Sequence, residues 1–196
     1  MKGVRRTIVR TLVLLTGLNA FAVAQAADTY DIDPVHTQIL FFVSHLGYSN
    51  SEGEFHKFAG KFRFDPADWS TASVNVTIET ESLSLDDAAW DKHLKSADFF
   101  NVEKFPQVTF RSTRVEKTGE NTGRVAGELT LLGVTKPVTL DLQFNKAAEF
   151  PMSKKFKSGF SATTTIKRSE WGMTFGVPMG IGDEVKIRLE VEGFRE

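Results

Sequence analysis

The sequence predicts an all-β protein of about eight antiparallel strands, closed as a barrel or stacked as a sandwich, with one short helical segment. Three observations carry this expectation. Most segments alternate apolar and polar side chains with a period of two, the mark of a strand covered on one face. The links between them are short and rich in Gly, Asn, Asp and Pro, too short for parallel crossovers. Only the stretch Asp86 to Phe110, DDAAWDKHLKSADFFNVEKFPQVTF, reads as helix before it returns to strand. A closed barrel of eight strands can hold one small ligand; a sandwich would pack its interior.

The strands follow in order. Asp33-Pro34 marks a bend before Gln38 to Val43, where Leu40 and Phe42 lie on one face and Ile39, Phe41 and Val43 on the other. A strand apolar on both faces is covered on both. Ser44 to Phe55 reads as an irregular loop because of its Gly, Ser and Asn content, with Tyr48 and Phe55 placed to sit at the mouth of a pocket. Phe58 to Phe64 carries Phe58, Phe62 and Phe64 on one side, with Gly60 as a bulge or bend. Ser73 to Leu85 alternates Val74, Val76 and Ile78 with polar residues.

In the helical stretch, Trp90, Leu94 and Ala97 recur at i, i+4 and i+7 and share one face. Asp86 and Asp87 are placed to cap the first turn. Pro106 forbids continuation and starts the returning strand. Val108 to Thr113 alternates again. Arg124 to Leu132 and Val134 to Asn145 form a hairpin about Gly133, with Val138, Leu140, Leu142 and Phe144 on one face. Phe160, Ala162, Thr164 and Ile166 share a face of the next strand. Val185, Ile187, Leu189 and Val191 share a face of the last. Between these two strands, RSEWGMTFGVPMGIG (168–182) is too apolar to lie free in water. It folds over an opening or into the interior, or else packs as a surface loop or a protomer contact.

The first 26 residues read differently. Lys2, Arg5, Arg6 and Arg10 precede a mostly apolar run, Thr11 to Val23, which is short for a membrane span, and Ala24-Gln25-Ala26 fits a small-x-small cleavage site. This is the pattern of a secretory signal peptide, cleaved after Ala26 or alternatively Ala24. It leaves one domain, 27–196. The whole chain has 24 basic and 25 acidic residues, and the leader takes four of the basic ones, so the mature chain carries a net charge of about −5. That charge speaks against a nucleic-acid partner and against attachment to anionic membranes by charge. The chain has no Cys, which excludes disulfides, thiolate chemistry and a lipoprotein anchor. Phe is abundant at 17, against two Tyr and three Trp, and indicates either a Phe-packed core or an apolar cavity lined by rings.

No catalytic constellation emerges. The four histidines, His36, His45, His56 and His93, show no zinc-motif spacing. There is neither a G-x-S-x-G elbow nor a phosphate loop. His36 and His45, if on one strand, face opposite sides. His45 could reach a ligand head group or serve as a structural histidine. The residues therefore favour a binding module without metal or cofactor rather than an enzyme.

The opening DIDPVHTQILFFVSHLG, then HLKSADFFNVEKFPQVTF, LTLLGVTKPVTLDL, SEWGM and IGDEVKIRLEVEG together strongly resemble the YceI-like family over the whole mature chain. The resemblance implies an eight-stranded antiparallel, lipocalin-like barrel in the periplasm. It implies a long isoprenoid-type ligand, a polyprenyl lipid or quinone, or a similar amphiphile, held inside with no other cofactor. It also implies a loose link to envelope stress, frequent homodimers and no stable membrane anchor. On that basis Phe42, Phe62, Val76, Ile78 and Phe100 are expected in the cavity wall, with Phe110, Leu131, Phe144, Ile166 and Ile181. Phe55, Trp171 and Phe175 are expected at the lid or mouth, and His45 at a head group. Trp90 and Leu94 are expected to pack inward from the helix, with Leu94 and Phe100 near the ligand. Two other functions are compatible with the residues: an enzyme acting on an amphiphile through His45 or His93, and a dimeric interaction protein using the doubly apolar strand Ile39 to Val43.

Overall fold

The computed structural model describes residues 27–196, so the expected signal peptide and its cleavage site lie outside the described residues. Eleven strands and one α-helix follow in order: β1 (Asp28–Ile32), β2 (Gln38–His45), β3 (Ser49–Phe55), β4 (Phe58–Phe64), β5 (Ser73–Glu79), β6 (Leu83–Ser84), α1 (Ala88–Lys95), β7 (Gln107–Lys117), β8 (Thr122–Leu131), β9 (Val134–Glu149), β10 (Phe156–Lys167) and β11 (Ile181–Arg195). All pairings are antiparallel. The order β1–β4–β5–β7–β8–β9–β10–β11 closes on itself through β11 and β1. The described residues thus form a closed eight-stranded antiparallel barrel with one α-helix; of the barrel and the sandwich that alternation and short links left open, the structure is the barrel that the family resemblance implies.

The ring forks on one side. β11 pairs along its N-terminal part with β2 (Ile181↔His45) and along its C-terminal part with β1 (Tyr30↔Arg195). β3 continues from β2 and pairs with β6, while β4 pairs with β1 and β5. Beyond the end of β5 the wall therefore parts, and residues 80–106 fill the gap. Thr80, almost fully buried, ties this insert at its base: its N–H donates to Pro106 O (3.0 Å) and its Oγ1 to Phe105 O (2.8 Å).

Ser49 to Phe55 is a strand, not an irregular loop. Its polar residues have little intrinsic β preference, and the ladder to β2 imposes the conformation. Only the tip is irregular, with Leu46 and Gly47 at positive φ (54° and 77°). The alternating run from Ser73 breaks at Thr80–Ser82. α1 ends at Lys95, so Ala97 lies outside it, and Asp87 alone caps it, accepting from the N–H groups of Ala89 and Trp90. Asp86 has φ 59° and takes no part. His36 lies in the bend before β2, not on it. Trp90 turns inward only in part: its ring lies 5.5 Å from that of His45, and it stays 44% exposed.

The bend at Asp33–Thr37 carries a buried ion-pair corner. Asp33 Oδ2 accepts from Lys157 Nζ (3.0 Å) and lies 2.7 Å from His36 Nδ1, Asp33 Oδ1 accepts from Val35 N–H, and Lys157 also pairs with Glu192. Burial by itself would raise the Asp33 pKa. The hydrogen bonds from His36, Lys157 and Val35 outweigh it and hold the carboxyl below its ordinary value. This corner lets β1 and β2 leave the same neighbour, β11, at different heights.

One end of the barrel is filled by rings. Tyr30 stacks on Phe62 (centroids 4.8 Å, planes within 6°), Phe160 meets Phe64 edge-on (4.8 Å), and Trp69 and Phe144 complete the cluster. Such pairs add about 0.5–1.5 kcal/mol each beyond their burial. Gly193 admits this packing, because a Cβ there would fall 2.4 Å from Phe62 Cε1 and 2.9 Å from the Asp31 carbonyl oxygen.

Two outcomes follow. Gly193→Ala should destabilise the barrel by about 1–3 kcal/mol through overpacking, read as a lowered thermal midpoint. A folded-state pKa below the unfolded one gives a stabilisation that is complete above the unfolded value, near 4, and is lost as pH falls through the folded value. The stability difference between wild type and Asp33→Asn should therefore be constant above about pH 5 and shrink on further acidification. Denaturant titrations at a series of pH values measure it.

Candidate functional site

The other end of the barrel is not filled. On β11, Val185, Ile187 and Leu189 share one inward face, yet Ile187 and Leu189 are only half-buried. The same holds for Val43 on β2, Val76 on β5, Leu140 on β9 and Ile166 on β10. Inward-facing apolar side chains that keep accessible surface border an open space. That space is a cavity of about 620 Å³. Its wall is overwhelmingly apolar. Polar side chains are few, among them Ser44, His45, Ser51 and His93 at the α1 end.

The insert and the 168–182 loop shape that end. Asp91 tethers α1 to β6: its Oδ1 accepts from Leu85 N–H (2.6 Å) and its Oδ2 from the Ser84 hydroxyl (3.0 Å). No residue of α1 is fully buried; besides these two bonds it is held by the half-buried Leu94, by the Phe100 N–H donating to Leu94 O (2.9 Å) and by the Lys95–Glu81 ion pair (3.3 Å). After the helix, Phe99 and Phe100 turn inward. Phe100 packs edge-on to Phe55 (5.5 Å) and against Phe41 (6.3 Å), forming the wall behind α1.

The loop 168–182 is stapled by Arg168, which is 2% exposed. Its guanidinium donates to the carbonyls of Gly182 (2.8 Å), Met173 (2.9 Å) and Ile181 (3.2 Å). Burial pushes its pKa down and the Asp183 carboxylate opposes this, while the group stays charged. Asp183 in turn accepts from Ser169 N–H and Oγ (2.9 Å each), and these bonds hold its carboxyl below its usual value. Trp171 is buried and donates from Nε1 to Leu129 O (3.2 Å). Met173 reaches the cavity. The apolar loop thus packs over the α1 end of the barrel, as its composition requires.

The residues expected in the wall, at the lid or mouth and at the head group divide into two groups. Phe62, Val76, Ile78, Phe100, Phe110, Leu131, Ile166 and Ile181 line the cavity, as do Phe55, Leu94 and His45. Phe42, Phe144, Trp171 and Phe175 do not. Phe42 points outward, beneath the Arg188 guanidinium (5.7 Å), because the inward face of β2 is Ile39, Phe41 and Val43. His45 shares that odd parity, so placing both His45 and Phe42 at one site conflicts with the two-residue period of a strand. Phe144 is on the inward face of β9 but sits at the filled end, against Phe64 (5.1 Å). Trp171, within the loop, is buried against β8 through its bond to Leu129 O. Phe175 packs on Phe99 (5.3 Å) and His93 (5.2 Å), outside the wall.

Residues missed from the sequence include Ile187, Leu189 and Leu140, although their alternation is visible there. Met173 is not legible as lining, because the folding of the 168–182 loop brings it there, while Trp90, expected to pack inward, and His93, a candidate of the enzyme reading, both line the cavity from α1. His93 Nε2 lies 3.0 Å from Asp98 Oδ2 at the rim, and the His45 ring is 5.5 Å from that of Trp90. Among the described residues, one group of three has the spacing of metal ligands: Asp33, His36 and Glu192. Lys157 already occupies the carboxylates of Asp33 and Glu192, so this group is accounted for as the ion-pair corner.

A closed antiparallel barrel with an aromatic plug at one end and a deep apolar cavity behind a helix at the other is a ligand-holding architecture. The family comparison agrees with it. Residues 30–193 match the YceI-like domain, and the chain belongs to that family. It is 41% identical over 191 residues to a UPF0312 protein of Pectobacterium carotovorum subsp. carotovorum (strain PC1), spanning 95% of this chain and 98% of that one. The fold is similar to that of the YceI protein of Campylobacter jejuni, at 32% identity and a TM-score of 0.69 over 78% of this chain and 90% of that chain. It is also similar to a polyisoprenoid binding domain from Saccharophagus degradans implicated in plant cell wall breakdown. There the TM-score is 0.66 at 12% identity, over 85% and 98% of the two chains, a likeness of fold.

If Asp91 is the tether of α1, Asp91→Ala should leave the barrel intact and loosen the helix by about 1–3 kcal/mol. Amide exchange should quicken across residues 88–95 and stay unchanged in β8 and β9.

Proposed function

We propose that this protein is a carrier that holds one long apolar chain of isoprenoid type, such as a polyprenyl lipid or a quinone, inside the barrel. The observation that supports this most directly is the set of inward-facing aliphatic residues left half-buried around a cavity of about 620 Å³. A well-packed protein interior leaves few voids larger than a water molecule, and a void of this size suits a ligand rather than a packing defect. Each methylene taken from water contributes roughly 0.8 kcal/mol. Ordering the flexible chain offsets part of that gain.

Ser44, His45, Ser51 and His93 line the cavity beside α1, so a polar head group would sit there with the tail running towards the aromatic plug. A carrier of this kind works through shape and desolvation. The basic leader and apolar run at the N-terminus favour a periplasmic location for this carrier, where a role in envelope stress is the family-level reading. No helix among the described residues is long and apolar enough to cross a membrane.

Organic extraction of protein purified from its native host, followed by mass spectrometry, tests the proposal. A stoichiometric long-chain lipid supports it. An absent lipid, with no uptake of any added polyprenol or quinone, overturns it. Val76→Trp, which fills the cavity without touching the plug, should lower affinity for such a chain at least about tenfold, the loss of roughly two buried methylenes, with little change in thermal midpoint.

A further inference from the structure

Seven large apolar side chains are exposed among the described residues, and they are not scattered. Leu46 (48%) and Tyr48 (89%) sit on the β2–β3 hairpin, Trp90 (44%) on α1, and Met179 (62%) in the short 3-10 turn Val177–Met179. These three segments touch. Leu46 N–H donates to Gly180 O (3.0 Å), Ile181 pairs with His45, and His45 packs against Trp90. Val134 (39%) begins β9 at the same end, beside the hairpin tip that packs on Phe105. Only Val35 and Met152 lie elsewhere. Single exposed apolar residues are ordinary. A cluster around the rim of an apolar cavity needs a partner.

We propose that this rim seats on the surface of a lipid bilayer, so that the ligand passes between membrane and cavity without crossing water. The inference rests on the carrier reading above. Two features select a bilayer over another occupant. First, the rim is continuous with the mouth: Trp90 and His45 line the cavity and border the rim at once. An insoluble chain leaving there meets whatever covers these residues. Second, the composition is interfacial, with Trp and Tyr, which carry an apolar body and a polar tip, beside Leu and Met. Charges of both signs flank the rim: Asp87, Asp91, Lys92 and Lys95 on α1, and Lys104, whose Nζ lies 5.1 Å over the Phe105 ring beside the Gly133 tip. They do not form a basic patch, so contact is apolar rather than electrostatic. Binding should be insensitive to salt and gain nothing from anionic lipid.

The test uses the mature protein and the double variant Leu46→Asp/Met179→Glu, neither residue being in the cavity wall. Co-sedimentation with phosphatidylcholine vesicles should fall at least tenfold in the variant. Uptake of a polyprenol from those vesicles should slow by a similar factor, and binding of farnesol supplied in solution should be unchanged. If the variant sediments and takes up polyprenol like wild type while farnesol binds, bilayer seating is overturned and the carrier reading stands. If wild-type protein binds no farnesol and takes up no polyprenol, the carrier reading fails, and vesicle seating as a route to the cavity fails with it. If light scattering shows a dimer that the double substitution dissociates, and wild type ignores vesicles, the rim is an interface between copies and the proposal is overturned.

Discussion

β11 pairs with β1 at one height and with β2 at another, and the rest of the architecture depends on that double pairing. It closes the ring and removes the sheet edges that an eight-stranded open sheet would expose. It also forces a step in the chain between β1 and β2, which the Asp33–Lys157–Glu192 corner stabilises. Because β3 and β4 inherit the step, the wall parts beyond β5, and the insert 80–106 must cover the parting. α1 is therefore a consequence of how the barrel closes. It lies over the gap without being buried, which explains why its tethers are polar and few.

The two halves of the interior face the same geometric problem and solve it differently. A closed ring of eight strands is just wide enough for side chains to meet across it. At one end Tyr30, Phe62, Phe64, Trp69, Phe144 and Phe160 are large enough to do so, and they stack into a plug. At the other end the inward residues are mainly Val, Ile and Leu, and they stop short. The abundance of Phe thus indicates neither a packed core alone nor a cavity alone. Some Phe rings fill one end, and others, such as Phe55, Phe100 and Phe110, line the space left at the other.

The fold was legible because period-two alternation survives in most strands, and the hairpin about Leu132-Gly133 falls where its glycine indicates. β3 was not legible, since SNSEGEF carries no strand preference and takes its conformation from β2. Within the site, residue parity identifies most wall positions. Phe42 was misjudged against its own parity, while Phe144 was on the correct face at the wrong height. Height along a barrel depends on register and strand tilt, and alternation does not encode either. Trp90 lines the cavity yet stays 44% exposed, because helical periodicity shows which residues share a face, not how much of that face the barrel covers.

The sequence by itself determined the fold class, the inward face of most strands, the helix after Leu85 with an aspartate to cap it, and the apolar character of the 168–182 loop. These follow from local chemistry: alternation, turn residues and capping side chains act within a few positions of one another. Only the tertiary structure decided where the interior is full and where it is empty, that α1 covers a parted wall, and that three distant segments bring Leu46, Trp90 and Met179 to one rim. Those outcomes depend on ring closure, which sets the distance between side chains far apart in the chain, and that distance determines whether apolar groups meet or leave a cavity.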